Sequence, residues 1–115
     1  MKINKFEDII SWQKAKVLTV GIYKIFKECK DYGFRDQIRR ASVLIMNNIA
    51  EGFERKSDAE FKRFLYIAKG SCGEVRLMIY LAYDFEYMSK EEARKYYDLS
   101  QEISKLISGL IKTLI

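Results

Sequence analysis

Apolar residues recur at helical spacing along most of the chain. The longest series alternates steps of four and three residues, which is the heptad pattern of helices that pack along one seam: Phe61, Leu65, Ala68, Cys72, Val75, Ile79 and Ala82. Two other segments carry a stripe each: Ala15, Leu18, Ile22, Phe26 and Cys29 in the first, and Tyr96, Leu99, Ile103, Leu106 and Leu110 in the second. These patterns predict amphipathic helices that each bury one face.

Helix boundaries follow from glycine and from capping pairs. Asp31-Tyr32-Gly33 predicts a break, because glycine readily takes the left-handed conformation that ends helices. Three Ser or Asn residues precede Glu by three positions and predict capping boxes at helix starts: Asn4–Glu7, Ser57–Glu60 and Ser89–Glu92. We therefore expect helices at about 6–30, 34–54, 58–86 and 90–115 within one domain over 1–115. Short linkers make this an all-α, antiparallel up-down-up-down four-helix bundle.

Two helices carry more apolar residues than one buried face requires. Helix 2 combines a main face with a second one made of Val43, Met46 and Ala50, and helix 1 has Ile9, Val17 and Val20 away from its main face. Since a helix in a monomeric bundle needs only one stripe, the excess predicts self-association into a homo-oligomer.

Gly70-Ser71-Cys72-Gly73-Glu74 places two glycines inside the predicted third helix. Each glycine costs about 1 kcal/mol relative to alanine there. A phosphate-binding loop would need a preceding strand, which the pattern does not contain. Close packing against a neighbouring helix or subunit is the favoured explanation.

A narrow polar sector of helix 2 admits two interpretations. The favoured one is a structural polar network that ties helices together, formed by Gln37, Arg40, Asn48, Glu51 and Glu74. The other is a pocket lined by Arg40, Asn48, Glu51 and Arg55.

Charge is concentrated in one half of the chain. Residues 1–56 contain 12 Lys and Arg against 7 Asp and Glu, whereas residues 57–115 contain 9 of each. A basic half is compatible with nucleic acid or another acidic partner, although a solvated lysine-rich face would look the same. The residues predicted to contact phosphates are Lys14, Lys16, Lys24, Lys27, Arg39 and Arg55. Tyr23 and Tyr32 are candidates for stacking on bases.

Composition narrows the chemistry. The chain has no histidine, which removes nucleophile–histidine pairs and the usual zinc sites, so we predict no catalytic residue, no metal and no cofactor. Carboxylate acid–base chemistry by Glu51 with Glu74 is the enzymatic reading that survives. Cys29 and Cys72 lack C-x-x-C spacing and are interpreted as apolar residues in a reducing compartment. Without a membrane-length apolar run or a signal-peptide core, we expect a cytoplasmic protein with no membrane partner.

Several motifs in chain order resemble the bacterial 23S rRNA intervening-sequence proteins, or S23 family. They are Phe6 and Asp8 with Trp12-Gln13-Lys14-Ala15, Gln37-Ile38-Arg39-Arg40-Ala41, Asn48-Ile49-Ala50-Glu51-Gly52, Arg55, Phe64-Leu65, Ala68, Gly70-Ser71 and Glu74. The resemblance spans essentially the whole chain, and the Asn-Ile-Ala-Glu-Gly block is its most specific part. Leu44 and Met46 depart from the family, which often has serine and proline at these positions.

The resemblance implies a four-helix bundle assembled as a ring, a homopentamer. The family takes its name from reading frames in insertions within ribosomal RNA genes, and it is similar to the accessory proteins of diversity-generating retroelements. The leading hypothesis is therefore a non-enzymatic oligomeric adaptor whose basic surface binds structured RNA or a nucleic-acid–protein complex. The alternative is a protein–protein scaffold that docks an acidic partner such as a reverse transcriptase.

Overall fold

The computed structural model describes residues 3–114 and folds them into an all-α four-helix bundle. The helices are α1 (Ile10–Ile25), α2 (Tyr32–Glu54), α3 (Asp58–Asp84) and α4 (Lys90–Lys112), and a 3-10 turn at Phe6–Asp8 precedes them. Consecutive helices pack on each other and α1 also packs on α4, so α1 and α3 lie at opposite corners of the bundle. The fold class predicted from the sequence is confirmed.

The core is built from the predicted stripes, with one rotation. All seven residues of the α3 seam are buried, and the centres of the α1 and α2 stripes, such as Leu18 and Ile45, are 0 % exposed. On α4 the buried residues are Ser100, Ile103, Ile107 and Ile111, while Leu99, Leu106 and Leu110 lie half-buried at the edge. The predicted α4 stripe was therefore displaced around the helix, because leucines on its flank have the same spacing as the true core residues.

The caps set the helix starts, and two boundary predictions were wrong. Ser89 and Glu92 form the reciprocal capping box, and the Ser57 hydroxyl accepts from the Glu60 amide at 3.2 Å. The proposed Asn4–Glu7 box does not start α1, which begins only at Ile10 with no side-chain cap. Gly33 lies inside α2 without a positive φ, because Asp31 caps that helix by accepting from the Phe34 amide.

The first linker is longer than predicted because an aromatic cluster fixes it. Phe26, the C-cap of α1, is fully buried and its ring lies 5.8 Å from that of Phe34 and 6.4 Å from that of Tyr87. The Tyr87 hydroxyl donates to Asp31 Oδ2 at 2.8 Å. The chain between α1 and α2 is thus anchored by contacts from the α3–α4 linker, 56 residues away in the case of Tyr87.

The surplus apolar surface lies elsewhere than predicted. Ile9 is buried and Met46 is half-buried against the chain's own core, so these residues need no second subunit. Val17 and Val20 do remain exposed on α1. The larger exposed apolar series is on α3 and includes Tyr66, Leu77 and Tyr80. The sequence pattern concealed it because the strong α3 seam accounts for that helix by itself.

Candidate nucleic-acid interface

The basic half of the chain forms one side of the bundle because α1 and α2 pack directly together. The Thr19 hydroxyl is buried between them, 2.8 Å from the Ala15 carbonyl oxygen and 3.1 Å from that of Ser42. Its single proton is shared between a carbonyl of its own helix and one of the next. Ser42 in turn donates to the Arg39 carbonyl at 2.8 Å. These bonds fix the register of α1 against α2.

A groove of about 460 Å³ runs along this α1–α2 contact. We call it the basic groove; its lining residues are Thr19, Val20, Tyr23, Lys24, Lys27 and Val43. The valines and the tyrosine provide an apolar floor, and the two lysines are exposed at its edge. Lys24 occupies the last turn of α1, where the helix dipole favours a cation.

Arg39 brings a third cation to the same side. Its Nη2 donates to the Tyr23 carbonyl at 3.0 Å, and the guanidinium lies 4.5 Å from the Tyr23 ring centroid. Its Nε is buried without a hydrogen-bond partner, which costs free energy. Arg39 is therefore held rigidly beside the groove and covers one face of Tyr23. Tyr32 is similarly covered by Arg35, whose guanidinium lies 4.8 Å from the ring.

Lys16 extends this basic side by one helical turn. It is exposed, lies four residues before Val20 and therefore projects from the same side of α1. Its ammonium lies 5.8 Å from the Trp12 ring centroid. Four of the six predicted phosphate-contacting residues thus share one side: Lys16, Lys24, Lys27 and Arg39.

Lys14 and Arg55 lie apart from the groove. Lys14 Nζ is 3.0 Å from Glu102 Oε2, which places this lysine on the side of α1 that faces α4. Arg55 caps the far end of α2, 16 residues and roughly 24 Å from Arg39 along the helix, and binds Glu51 at 2.8 Å. A charge count along the sequence could not separate these two from the others.

The predicted polar network is divided into separate contacts. Gln37 Nε2 donates to Glu74 Oε2 at 3.3 Å, which joins α2 to α3. Asn48 Nδ2 donates to the Leu44 carbonyl of its own helix at 2.8 Å. Glu51 binds Arg55, and Arg40 is exposed. The five residues follow one edge of α2 without meeting in a common pocket.

The distance between the two carboxylates argues against shared acid–base chemistry. Glu74 is anchored to Gln37, whereas Glu51 lies 14 residues further along α2, roughly 21 Å away at the helical rise per residue. A pair of catalytic carboxylates must reach the same substrate atoms, which requires a separation of less than about 10 Å.

A second groove, between α3 and α4, was missed by the sequence analysis. It measures about 410 Å³ and is lined by Tyr80, Tyr83 and Tyr97 together with the cations Lys90 and Arg94. The Tyr80 and Tyr97 hydroxyls are 3.5 Å apart, and this hydrogen bond raises the pKa of Tyr80. The signal was weak because these tyrosines are spread over two helices, at the edges of their apolar stripes.

Two chemistries have no support in the part of the chain that is described. Among residues 3–114, no cluster of three or more Cys, Asp or Glu side chains has the arrangement needed to hold a metal ion. Within the same residues, none of the helices combines the length and apolar character of a membrane span.

Comparison with known proteins decides the family. The family model described as 23S rRNA-intervening sequence protein matches residues 7–109, nearly the whole bundle. The chain belongs to the 23S rRNA-intervening sequence protein family. A crystal structure from Bacteroides thetaiotaomicron, titled as a protein of unknown function from the S23 ribosomal protein family, aligns with a TM-score of 0.83 and 30 % identity over 90 % of this chain and 99 % of that one. A search of curated proteins finds no match.

For this S23-family chain, the shared fold gives the Asn48–Gly52 block a structural role. Ile49 is fully buried and Gly52 is buried where α2 meets α3. A methyl group added at Gly52 would lie 2.6 Å from Phe64 Cβ, so glycine permits the two helices to approach closely here. The block that carries the resemblance is thus explained by packing, and the solvent-facing cations are left for binding.

Proposed function

We propose that this protein is a non-enzymatic, self-associating adaptor that binds structured RNA through the basic groove. The observation that carries the proposal is the convergence of Lys16, Lys24, Lys27 and Arg39 on one side of the α1–α2 pair. Cations on a rigid helical frame contact phosphates without reading base sequence. The family name, which refers to 23S rRNA, agrees with an RNA ligand.

Assembly would strengthen a weak site. The net charge of one chain is +5, a modest attraction for a polyanion. A ring of five copies, as the resemblance implies, would repeat the basic groove around one particle and raise its avidity for a long RNA. Cys29 and Cys72 are both free, which agrees with a reducing, cytoplasmic environment.

The test is the salt dependence of RNA binding. Affinity of the wild-type chain for a fluorescently labelled RNA hairpin is measured by anisotropy over a series of salt concentrations. The affinity should fall steeply with salt, because each neutralised phosphate releases a counterion. Lys24→Ala with Lys27→Ala should weaken binding and lower the slope of log affinity against log salt by about 1.5. Both lysines are exposed, so the fold should survive.

Lys105→Ala with Lys112→Ala is the matched control. Both lysines are exposed on α4 in the neutral half, so this variant loses the same charge and should retain wild-type affinity. Absent binding, salt-insensitive binding or equal loss in the two variants would refute the proposal. If RNA is not bound but an acidic protein is captured from nuclease-treated lysate through Lys24 and Lys27, the scaffold function takes its place.

A further inference from the structure

We propose that the outer face of α3 is a two-fold contact between copies of this chain. This α3 outer face consists of Tyr66, Gly70, Gly73, Leu77, Tyr80 and Leu81, which recur at steps of three and four residues on one side of the helix. It lies at the corner of the bundle opposite α1. It is therefore separate from the basic groove and is independent of RNA binding.

The glycines point to a partner outside the chain. An interior glycine weakens a helix, and close approach of another group is the usual reason for keeping one. Nothing in the chain lies within 4 Å of a methyl group placed at Gly70, and only the Arg76 guanidinium, at 3.9 Å, approaches one placed at Gly73. Neither glycine is therefore required by packing within the monomer. The close approach that the sequence predicted must come from another subunit.

The apolar area is sufficient for the centre of such a contact. Tyr66, Leu77 and Tyr80 are 58 %, 61 % and 60 % exposed. The two tyrosines alone present on the order of 200 Å² of ring surface, and the leucines add a comparable amount. A stable interface buries roughly 800 Å² per partner, so the face would supply about half and its polar flanks the rest. This predicts association in the micromolar range.

The face is complementary to itself when two copies pack antiparallel. If the two-fold axis passes between Gly73 and Glu74, Leu77 of each copy lies over Gly70 of the other. In the same register Tyr66 meets Leu81, and Arg63 meets Asp84 at both ends. Large side chains thus face the glycine gap, and opposite charges face each other. Arg63 also holds Glu60 at 3.1 Å within its own chain, and Asp84 is exposed.

A two-fold contact joins copies in pairs. The chain would form a dimer by itself, and a pair of rings where copies also assemble cyclically. Sedimentation velocity of nuclease-treated, RNA-free protein across the micromolar range measures this state. An even number of copies supports the proposal; a monomer throughout, or a lone pentamer, overturns it. Because RNA is absent, the outcome is independent of the proposed RNA binding.

Variants test the register. Leu77→Glu should weaken association by at least tenfold while the helical circular dichroism is retained, because Leu77 does not belong to the core. Asp84→Arg should also weaken it by placing like charges opposite each other. Arg63→Asp combined with Asp84→Arg should restore association, since the pair is exchanged. Unchanged association in Leu77→Glu, or no restoration in the double variant, would overturn the two-fold register.

The glycine prediction has a matched control. Gly70→Ala should raise the melting temperature of the dilute monomer yet weaken association by about tenfold, because the methyl group displaces Leu77 of the partner. Gly109 on α4 is also exposed with nothing within 4 Å of an added methyl group. Gly109→Ala should raise the melting temperature similarly and leave association unchanged. Equal association of the two variants would mean that Gly70 receives no partner.

Discussion

Replacing Gly52 by alanine should destabilise the bundle even though alanine is the better helix former. The added methyl group would lie 2.6 Å from Phe64 Cβ, 3.1 Å from Phe61 Cδ1 and 3.3 Å from the Phe61 carbonyl oxygen. Carbon atoms in contact normally lie about 3.5–4.0 Å apart. Because a Cβ atom is fixed by the backbone, rotation of Phe64 cannot relieve the overlap, and α2 must move away from α3 by about 1 Å.

The magnitude follows from two opposing effects. Alanine gains about 1 kcal/mol of helix propensity over glycine. Overpacking a core typically costs about 1–3 kcal/mol, and a backbone-fixed overlap belongs at the upper end of that range. The net loss should be about 2 kcal/mol, equivalent to a melting temperature lower by roughly 8 °C for a domain of this size.

Urea unfolding followed by circular dichroism, at one fixed protein concentration, measures this loss. Gly109→Ala is the control, because its methyl group meets open space and the propensity gain of about 0.5–1 kcal/mol should appear in full. The m-value should be unchanged in both variants, so that midpoints report stability. If Gly52→Ala were as stable as Gly109→Ala, the close approach of α2 and α3 at the family motif would be refuted.

Three further predictions concern the caps and the titratable side chains. Ser89→Ala removes one half of the α4 capping box and should cost about 1 kcal/mol of unfolding free energy; a midpoint identical to wild type in urea would contradict that role. Burial raises the pKa of the Cys72 thiol to about 12, so maleimide at pH 8 should modify Cys29 in the native protein and Cys72 only after unfolding, and equal labelling rates by mass spectrometry would contradict this. The hydrogen bond to Asp31 raises the pKa of Tyr87, so its stabilising contribution is complete below the unfolded tyrosine value of about 10 and is lost as pH rises through the higher folded value. Melting temperatures measured from pH 8 upward should therefore decline less in Tyr87→Phe than in wild type, and parallel declines would show that the bond does not contribute.

Local signals predicted the parts of the fold that depend on neighbouring residues. The α3 seam and the Ser89 cap involve residues three or four positions apart, and the structure has both. The end of α1 was missed because Phe26 is held by Phe34 and Tyr87, a contact that no local pattern contains. The Gly33 break failed because Asp31 is a strong N-cap and places the glycine inside α2.

The candidate site required the packing of two helices to become visible. Lys24, Lys27 and Arg39 are spread over 16 positions of sequence, and only the α1–α2 register fixed by Thr19 brings them to one groove. Lys14 belongs to the same basic half but projects towards α4 and Glu102. Charge content therefore predicted which half of the chain would be basic, and helix packing decided which cations act together.

Isotope-labelled NMR spectra recorded with and without an RNA hairpin test the central claim most directly, because they locate the bound RNA on the bundle. At low salt, the amide shifts should concentrate in Val20–Lys27 and in α2 from Arg39 to Val43, and they should disappear as salt is raised. Changes confined to the α3 outer face or the tyrosine groove, or spread evenly over the four helices, would contradict binding at the basic groove.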